Sequence, residues 1–214
     1  MDPLFYIGTF IIIFVSLGIH EYAHAKMADL SGDPTPRIYG RVTLNIFKHL
    51  DPVGTMMIVF TVLSGFGIGW GKPVPVDPRK MRNPRWDHFW SVAAGPVSNL
   101  IQAAFYAMIL RIALGNISQV IASVLLIGIQ VNLALCFFNL IPLGPLDGHW
   151  MLGSFMKEPQ RTMWYRWNAQ MGGMVLLGLI LLGQISPQFN LVHSVLRPPV
   201  EITTKFLLGI KQND

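Results

Sequence analysis

The feature that most constrains this chain is an apolar run of helix length that ends in histidines and a glutamate. The run from Leu4 to Ile19 carries no charged residue, and His20, Glu21 and His24 follow it directly. Ionisable side chains in a membrane-length segment are costly, so their presence indicates function. In a helix, the i, i+4 spacing places both imidazoles on one face, where they can bind one Zn²⁺. The glutamate between them can then act as general base on water.

Composition predicts an integral membrane protein. Hydrophobic residues make up 52% of the 214 residues and charged residues only 13%, with a mean hydropathy of +0.46; soluble domains average about 25% charged residues. The net charge of +5 resides in short loops beside apolar segments, so we expect no nucleic-acid partner. No Lys or Arg precedes Lys26, and the first apolar run therefore predicts a retained span rather than a signal peptide.

The apolar segments predict an all-α polytopic membrane protein, a bundle of about 4–6 transmembrane helices within a single domain covering residues 1–214. The windows long enough for a span are 4–25, 89–114, 117–141 and 169–186. Val53–Gly69 ends in a glycine-rich stretch, which is poor helix material. Leu191–Ile210 is interrupted by prolines and charges, so it is either an interfacial helix or a broken span. Partial alternation in Arg37–Asn45 is typical of a short strand or hairpin at the membrane surface.

The basic residues predict the topology. Loops 26–52 and 71–88 both carry an excess of Lys and Arg, so both should face the cytoplasm. Two cytoplasmic loops cannot flank a full crossing, and Val53–Gly69 should therefore enter the membrane and return, as a re-entrant segment. The first helix then runs from outside to inside, which places His20 and His24 toward its cytoplasmic end.

Two imidazoles do not complete a catalytic zinc site, because such a site has three protein ligands and one open position. Asp147 follows the 117–141 window and is the only acidic residue between Asp87 and Glu158. The predicted topology brings Asp147 to the same side of the membrane as the two histidines. His149, two residues further on, is an alternative ligand or a partner of the site.

At this point the sequence resembles the site-2 protease family of intramembrane zinc metalloproteases, peptidase family M50. Three motifs carry the resemblance: the H-E-x-x-H beginning at His20, the G-P-x-x-N from Gly95 to Asn99, and the N-x-x-P-x-x-x-x-D-G from Asn139 to Gly148. The stretch Gly69–Val76 is similar to that of compact bacterial and archaeal members. The resemblance covers about residues 1–155. It implies a catalytic core there, followed by C-terminal helices at about 160–210.

The resemblance implies one Zn²⁺ per chain, held by His20, His24 and Asp147, with Glu21 as the catalytic base. It implies hydrolysis of peptide bonds within or near transmembrane segments of membrane-anchored proteins, in regulated intramembrane proteolysis. The expected location is a prokaryotic plasma membrane, with the active site toward the cytoplasm and an unidentified regulatory membrane partner. Asn99 and Asn139 are candidate substrate-binding residues that hold an unwound backbone or an oxyanion. The alternative is that each amide bonds a neighbouring helix.

Three other functional classes fit these residues less well. A membrane metal-binding or transport protein needs further ligands along a pathway, and the apolar segments offer almost no other charged groups. A catalytically inactive scaffold has no use for Glu21. The membrane hydroxylases and desaturases need several histidine boxes, whereas this chain has one.

Overall fold

The computed structural model describes residues 2–64, 69–185 and 190–210, and in these ranges the regular elements are all helices. This confirms the predicted all-α class. The α-helices are α1 Pro3–Leu30, α2 Thr35–Ile38, α3 Pro52–Ser64, α4 Trp86–Ala113, α5 Gln119–Asn139, α6 Asp147–Phe155, α7 Gln160–Trp167, α8 Gly173–Ile185 and α9 Leu191–Leu208.

Four helical stretches in the described part of the chain are long and apolar enough to cross a membrane. They match the four windows predicted from sequence, and the last window proves to be the C-terminal part of a longer stretch. This stretch joins α7 and α8 through a π-helical turn at Asn168–Gly172. The spans are Pro3–Leu30, Trp86–Ala113, Gln119–Asn139 and Gln160–Ile185.

The chain divides into two compact units, Met1–Asn132 and Leu133–Asp214. In the first unit, α1 packs antiparallel to α4, and glycines let α5 approach closely. An added Cβ at Gly8 would lie 2.8 Å from Val124, and one at Gly128 would lie 3.1 Å from Ile12. These helices form the core that holds the two histidines. The sequence-based boundary between a core of about 1–155 and later helices stays a prediction.

The chain enters and leaves the α3 segment at neighbouring positions, and its re-entrant course in a membrane stays a prediction. Its helix has 13 residues, or about 20 Å at 1.5 Å per residue, against about 30 Å of membrane hydrocarbon. Leu50 before it forms an antiparallel bridge with Gly71 after it. The Lys72 N–H also donates to the His49 carbonyl at 2.8 Å. Residues 65–68 of the predicted glycine-rich stretch lie outside the described residues.

The strand or hairpin predicted at Arg37–Asn45 is wrong. The chain there forms the short helix α2 and then a turn at Gly40, where φ is +65°. Ile38 is 73% exposed while Arg41 is only 4% exposed, the reverse of what an apolar-inward strand gives. The alternating pattern did not predict a strand correctly, because the hydrogen bonds of the buried Arg41, rather than a sheet, hold this segment in place.

The second unit contains the end of α5, a loop through Leu146, and α6 to α9. Asn168 in the π-helical turn accepts a hydrogen bond from the Gly144 N–H at 2.7 Å. The segment predicted as an interfacial helix or broken span is the continuous helix α9, with Pro198 and Pro199 inside it. None of the α9 residues is buried.

Candidate metal centre

The two histidines of the H-E-x-x-H motif lie one turn apart on α1 and face each other. Their Nε2 atoms are 3.0 Å apart, and His20 is buried with 5% of its surface exposed. Each ring is held from its other nitrogen by α4. The Nδ1 of His24 is 2.8 Å from the Ser91 carbonyl oxygen, and the Nδ1 of His20 is 2.6 Å from Asn99 Oδ1.

The donor chemistry of this pair fits a bound metal. A carbonyl oxygen only accepts hydrogen bonds, so His24 must carry its proton on Nδ1 and presents a lone pair at Nε2. That lone pair points at the Nε2 of His20, and with His20 in the same tautomer the two lone pairs can bind one cation between them. Nitrogens bound to one tetrahedral zinc at 2.0–2.1 Å stand about 3.3 Å apart, close to the observed separation.

Gly95 of α4 provides the space for the imidazoles. An added Cβ there would lie 2.7 Å from Cε1 of His20 and closer still to Nε2 of His24. Real Cβ atoms do not make such contacts, so one of the rings would have to move. The glycine of the G-P-x-x-N motif is therefore required by the histidine pair on the neighbouring helix.

Glu21 lies beside the pair, and its side chain is 13% exposed. Its Oε2 atom is 4.0 Å from Nη2 of Arg41. Gly71 runs next to the other carboxylate oxygen, because an added Cβ at Gly71 would lie 3.5 Å from Oε1. The carboxylate is therefore reached by water, faces one cation and borders the segment that follows α3.

Arg41 holds that segment in place. Its guanidinium donates to the carbonyl oxygens of Pro73, at 2.8 Å, and Lys72. It also donates to Nδ1 of His49 at 3.3 Å, and Nε2 of His49 in turn donates to the Thr43 carbonyl at 2.8 Å. Burial lowers the pKa of both Arg41 and His49. The lowered pKa keeps His49 neutral, as an acceptor at Nδ1 requires, whereas a guanidinium stays charged.

Asn99 is fully buried and its amide is used inside the protein. Its Oδ1 faces His20, while its Nδ2 donates to Oδ1 of Asn132 at 2.9 Å. This arrangement bonds neighbouring helices, which is the structural alternative given above for this residue. Contact between Asn99 and a substrate stays a prediction.

Asp147, His149 and Asn139 belong to the second unit. Asp147 is half-buried and is the first residue of α6. The following Gly148 lies against backbone, since an added Cβ would be 2.5 Å from the Ile141 carbonyl oxygen. His149 is buried and donates from Nδ1 to the Leu146 carbonyl, and burial lowers its pKa.

Asn139, the other amide predicted to bind substrate, donates from Nδ2 to the Leu135 carbonyl at 3.0 Å. This is a bond to the preceding turn of its own helix. A substrate contact by this residue stays a prediction.

Sequence reasoning missed two residues of this neighbourhood, Arg41 and Asn132. Both are buried polar side chains, with 4% and 0% exposure. Asn132 lies in the apolar 117–141 window, where an amide is a recognisable signal of interhelical bonding. Arg41 stood in a loop whose basic residues were interpreted only as topology signals, and nothing in the sequence distinguished it from its exposed neighbour Arg37.

Comparison with known proteins found relatives named as zinc metalloproteases. The chain is 43% identical over 146 residues, 65% of its length, to a Bacillus subtilis (strain 168) protein named "Putative zinc metalloprotease YwhC". It is 29% identical over 167 residues, 75% of its length, to a Mycolicibacterium smegmatis protein named "Putative zinc metalloprotease Rip2". A Mycobacterium tuberculosis (strain H37Rv) protein of the same name is 28% identical over 170 residues, 76% of the chain.

The matched region covers 64% of the length of each of these relatives. No protein-family model matches the chain. No solved structure matches it either. The chain is thus similar to proteins named as zinc metalloproteases, and its own buried histidine pair has the donor chemistry that such a name requires.

Proposed function

We propose that this chain is a zinc-dependent metalloprotease that cleaves peptide bonds within or near transmembrane segments of membrane-anchored proteins. The observation that carries the proposal is the histidine pair on α1, whose Nε2 atoms lie 3.0 Å apart inside a membrane-length helix with Glu21 between them. The relatives named as zinc metalloproteases support the metal and the reaction class. The apolar spans support a membrane substrate.

In this proposal His20 and His24 bind one Zn²⁺ through Nε2, and Asp147 supplies the third ligand. A carboxylate oxygen is an accepted zinc donor, and two histidines with one carboxylate leave one position open for water. When bound, the zinc ion supplies a Lewis acid that polarises a peptide carbonyl and acidifies water. The Asn99 and Ser91 acceptors hold the two rings in the orientation that exposes Nε2.

Glu21 accepts the proton of the attacking water and later donates it to the leaving amine. Its partly exposed carboxylate can reach water, and the guanidinium of Arg41 lies 4.0 Å from it. A peptide bond in a helix is shielded, so the substrate helix must unwind before cleavage. Arg37–Asn45 offers no strand edge to an unwound substrate, since that segment holds α2 and a turn.

We also place the protein in a prokaryotic cell membrane, with the histidine pair toward the cytoplasm. The excess of Lys and Arg in loops 26–52 and 71–88 supports this orientation. Regulated intramembrane proteolysis, and a regulatory membrane partner, belong to the same proposal and rest on the motif resemblance.

The test replaces Glu21 by glutamine. The Glu21→Gln variant should bind zinc and keep its unfolding temperature while cleavage of single-span membrane proteins in proteoliposomes falls by at least about 10²-fold, because only the proton acceptor is lost. Glu158→Gln, a change at an exposed glutamate paired with Arg161, is the control and should cleave as the parent does. Full activity of Glu21→Gln would refute the proposal.

The third ligand is tested by metal content. Asp147→Asn should lose bound zinc, since a neutral amide is a poor zinc ligand. His149→Gln should keep it, because the proposed ligand set does not include His149. Elemental analysis of both purified variants decides the assignment, and the reverse result would transfer the ligand role to His149.

A further inference from the structure

A chain of buried amides leads from α5 to the first histidine. Asn132, with no exposed surface, donates from Nδ2 to the Gly128 carbonyl oxygen and to Ser16 Oγ, both at 2.8 Å. A backbone carbonyl cannot donate, so the orientation of the Asn132 amide is fixed by the protein backbone. Its Oδ1 must then point the other way, toward Asn99.

The fixed orientation is passed on to the next amide. Oδ1 of Asn132 can only accept, so the group of Asn99 that lies 2.9 Å from it must be the NH₂. The Ser16 carbonyl, 3.4 Å from the same nitrogen, sets the same requirement. The oxygen of Asn99 is left facing His20, and Nδ1 of His20 must carry the proton that it accepts.

We propose that Asn132 and Asn99 form a positioning pair that sets His20 in the tautomer with its proton on Nδ1 and its lone pair on Nε2. The pair acts before any metal arrives, because every bond in it lies within the protein. This inference rests on the proposed metal site, where Nε2 of His20 is the ligand atom. In this proposal Asn99 orients His20, a metal ligand, and does not bind the substrate.

Asn132 is the residue that forbids the other tautomer. Without Asn132, only the 3.4 Å contact with the Ser16 carbonyl would oppose a 180° rotation of the Asn99 amide. The rotated amide would offer an N–H to Nδ1 and leave the proton of His20 on Nε2, where it would block a metal. With Asn132 present, that rotation would set two amide oxygens against each other in a buried site. An unpaired buried acceptor is destabilising, so the reversed orientation is disfavoured.

The tautomer can be read directly in the metal-free protein. Ring-¹⁵N-labelled histidine in the full chain, held in detergent with a chelator, gives distinct nitrogen shifts for the two tautomers, and His20→Gln identifies the His20 signals. Where His20 is neutral, the parent protein should show the Nδ1–H form alone. Finding the Nε2–H form there would overturn the proposal without any further variant.

Variants separate positioning from packing. Asn132→Leu should give a mixture of His20 tautomers and should weaken zinc binding in a chelator competition by about 10-fold or more, the scale on which partners of metal ligands act. Gln102→Leu is the matched control, since Gln102 is a buried amide one turn from Asn99 on the same helix and lies outside this chain of bonds. Unchanged tautomer and affinity in Asn132→Leu would refute the proposal.

A rescue experiment keeps the proposal falsifiable if Asn132→Leu folds poorly. Aspartate at position 99 has only acceptor oxygens when ionised, so it can direct His20 without help from Asn132. The double variant Asn99→Asp/Asn132→Leu should therefore recover the Nδ1–H tautomer and most of the zinc affinity. If Asn132 serves only to pack α5 against its neighbours, adding Asn99→Asp should restore neither the His20 tautomer nor the zinc affinity. Because these readouts involve no cleavage, failure here is distinguishable from failure of the protease proposal.

Discussion

Gly95 of α4 lies so close to His24 of α1 that a single added Cβ would overlap the imidazole nitrogen proposed to bind metal. The contact is part of an antiparallel pairing of the two helices, in which Ser91 bonds His24 and Asn99 bonds His20. One face of α4 thus supplies a hydrogen-bond acceptor for each ring. Between those two acceptors lies Gly95, which has no side chain.

The first prediction follows from this contact. Gly95→Ala should reduce zinc affinity by at least about 10-fold, as expected when the support of a metal ligand is disturbed. The reason is that the His24 ring, or the whole of α4, must move to admit the methyl group. Zinc affinity is measured by chelator competition on the purified full chain.

Gly178→Ala provides the control for that substitution. Gly178 lies in α8, and an added Cβ there meets no atom within 4 Å. This variant should bind zinc as the parent does, and it should be slightly more stable, because alanine favours helix by about 1 kcal/mol over glycine. Equal zinc affinity in Gly95→Ala and the parent would show that the contact does not constrain the site.

The second prediction concerns Arg41. Arg41→Lys should destabilise the protein by about 2–3 kcal/mol, the scale of a buried charged hydrogen bond, and should lower cleavage. Lysine keeps the charge, but one ammonium cannot reach both Lys72 and Pro73 carbonyls and the His49 ring. The segment beside Glu21 should therefore loosen. Unfolding midpoints and cleavage rates check both effects.

Arg37→Lys is the matched control for Arg41. Arg37 lies four residues earlier and pairs with Asp29 at the surface, with 72% of its side chain exposed. Exposed ion pairs contribute little to stability, so this variant should unfold and cleave as the parent does. If Arg37→Lys and Arg41→Lys behave alike, the buried network does not hold the segment.

The contrast between these two arginines shows how far sequence alone could predict this protein. The spans and the histidine pair followed from hydropathy and spacing, which are local properties of the chain. The re-entrant course of the α3 segment came from charge parity and stays a prediction. The role of Arg41 did not follow from the sequence, because its hydrogen bonds are to a segment that lies 31 and 32 residues later in the chain. Asn132 likewise became meaningful only when α5 was placed against Ser16 and Asn99.

The third prediction is a pH dependence from His49. Burial holds the pKa of His49 below its ordinary value of 6.5. Between the folded pKa and 6.5 the unfolded chain binds more protons than the folded protein, so stability rises with pH in this window and is lost as pH falls. His149 shifts in the same direction, and His49→Gln should therefore flatten the dependence only in part.

Chemical unfolding with chelator present, between pH 5 and pH 7.5, measures this effect. Glutamine can accept from Arg41 and donate to the Thr43 carbonyl as neutral His49 does, so His49→Gln should be the less pH-sensitive protein. His193→Gln changes an exposed histidine and should keep the parent slope. If the stability of His49→Gln depends on pH as steeply as that of the parent, His49 does not contribute to the pH dependence.

The last prediction is the topology. Leu50 pairs with Gly71, and the Arg82 side chain donates to the Leu30 carbonyl at 2.6 Å, so loops 26–52 and 71–88 lie together at the C-terminal end of α1. Their shared excess of Lys and Arg predicts that both face the cytoplasm. In a Cys136→Ser background, Lys48→Cys and Asn83→Cys should resist an impermeant thiol reagent added outside intact cells. Both positions are exposed in the structure, so they should react once the cells are permeabilised.

Asn116→Cys, in the exposed loop between α4 and α5, serves as the positive control and should react in intact cells. α4 is long enough to cross the membrane, so position 116 should face the side opposite to position 83. Labelling of the Asn83→Cys variant but not the Lys48→Cys variant would mean that the α3 segment crosses the membrane. If Lys48→Cys and Asn83→Cys are both labelled and Asn116→Cys is not, the α3 segment is still re-entrant but the protein has the opposite orientation in the membrane. The histidine pair would then face the outside, and the proposed substrates would have to be cleaved from that face.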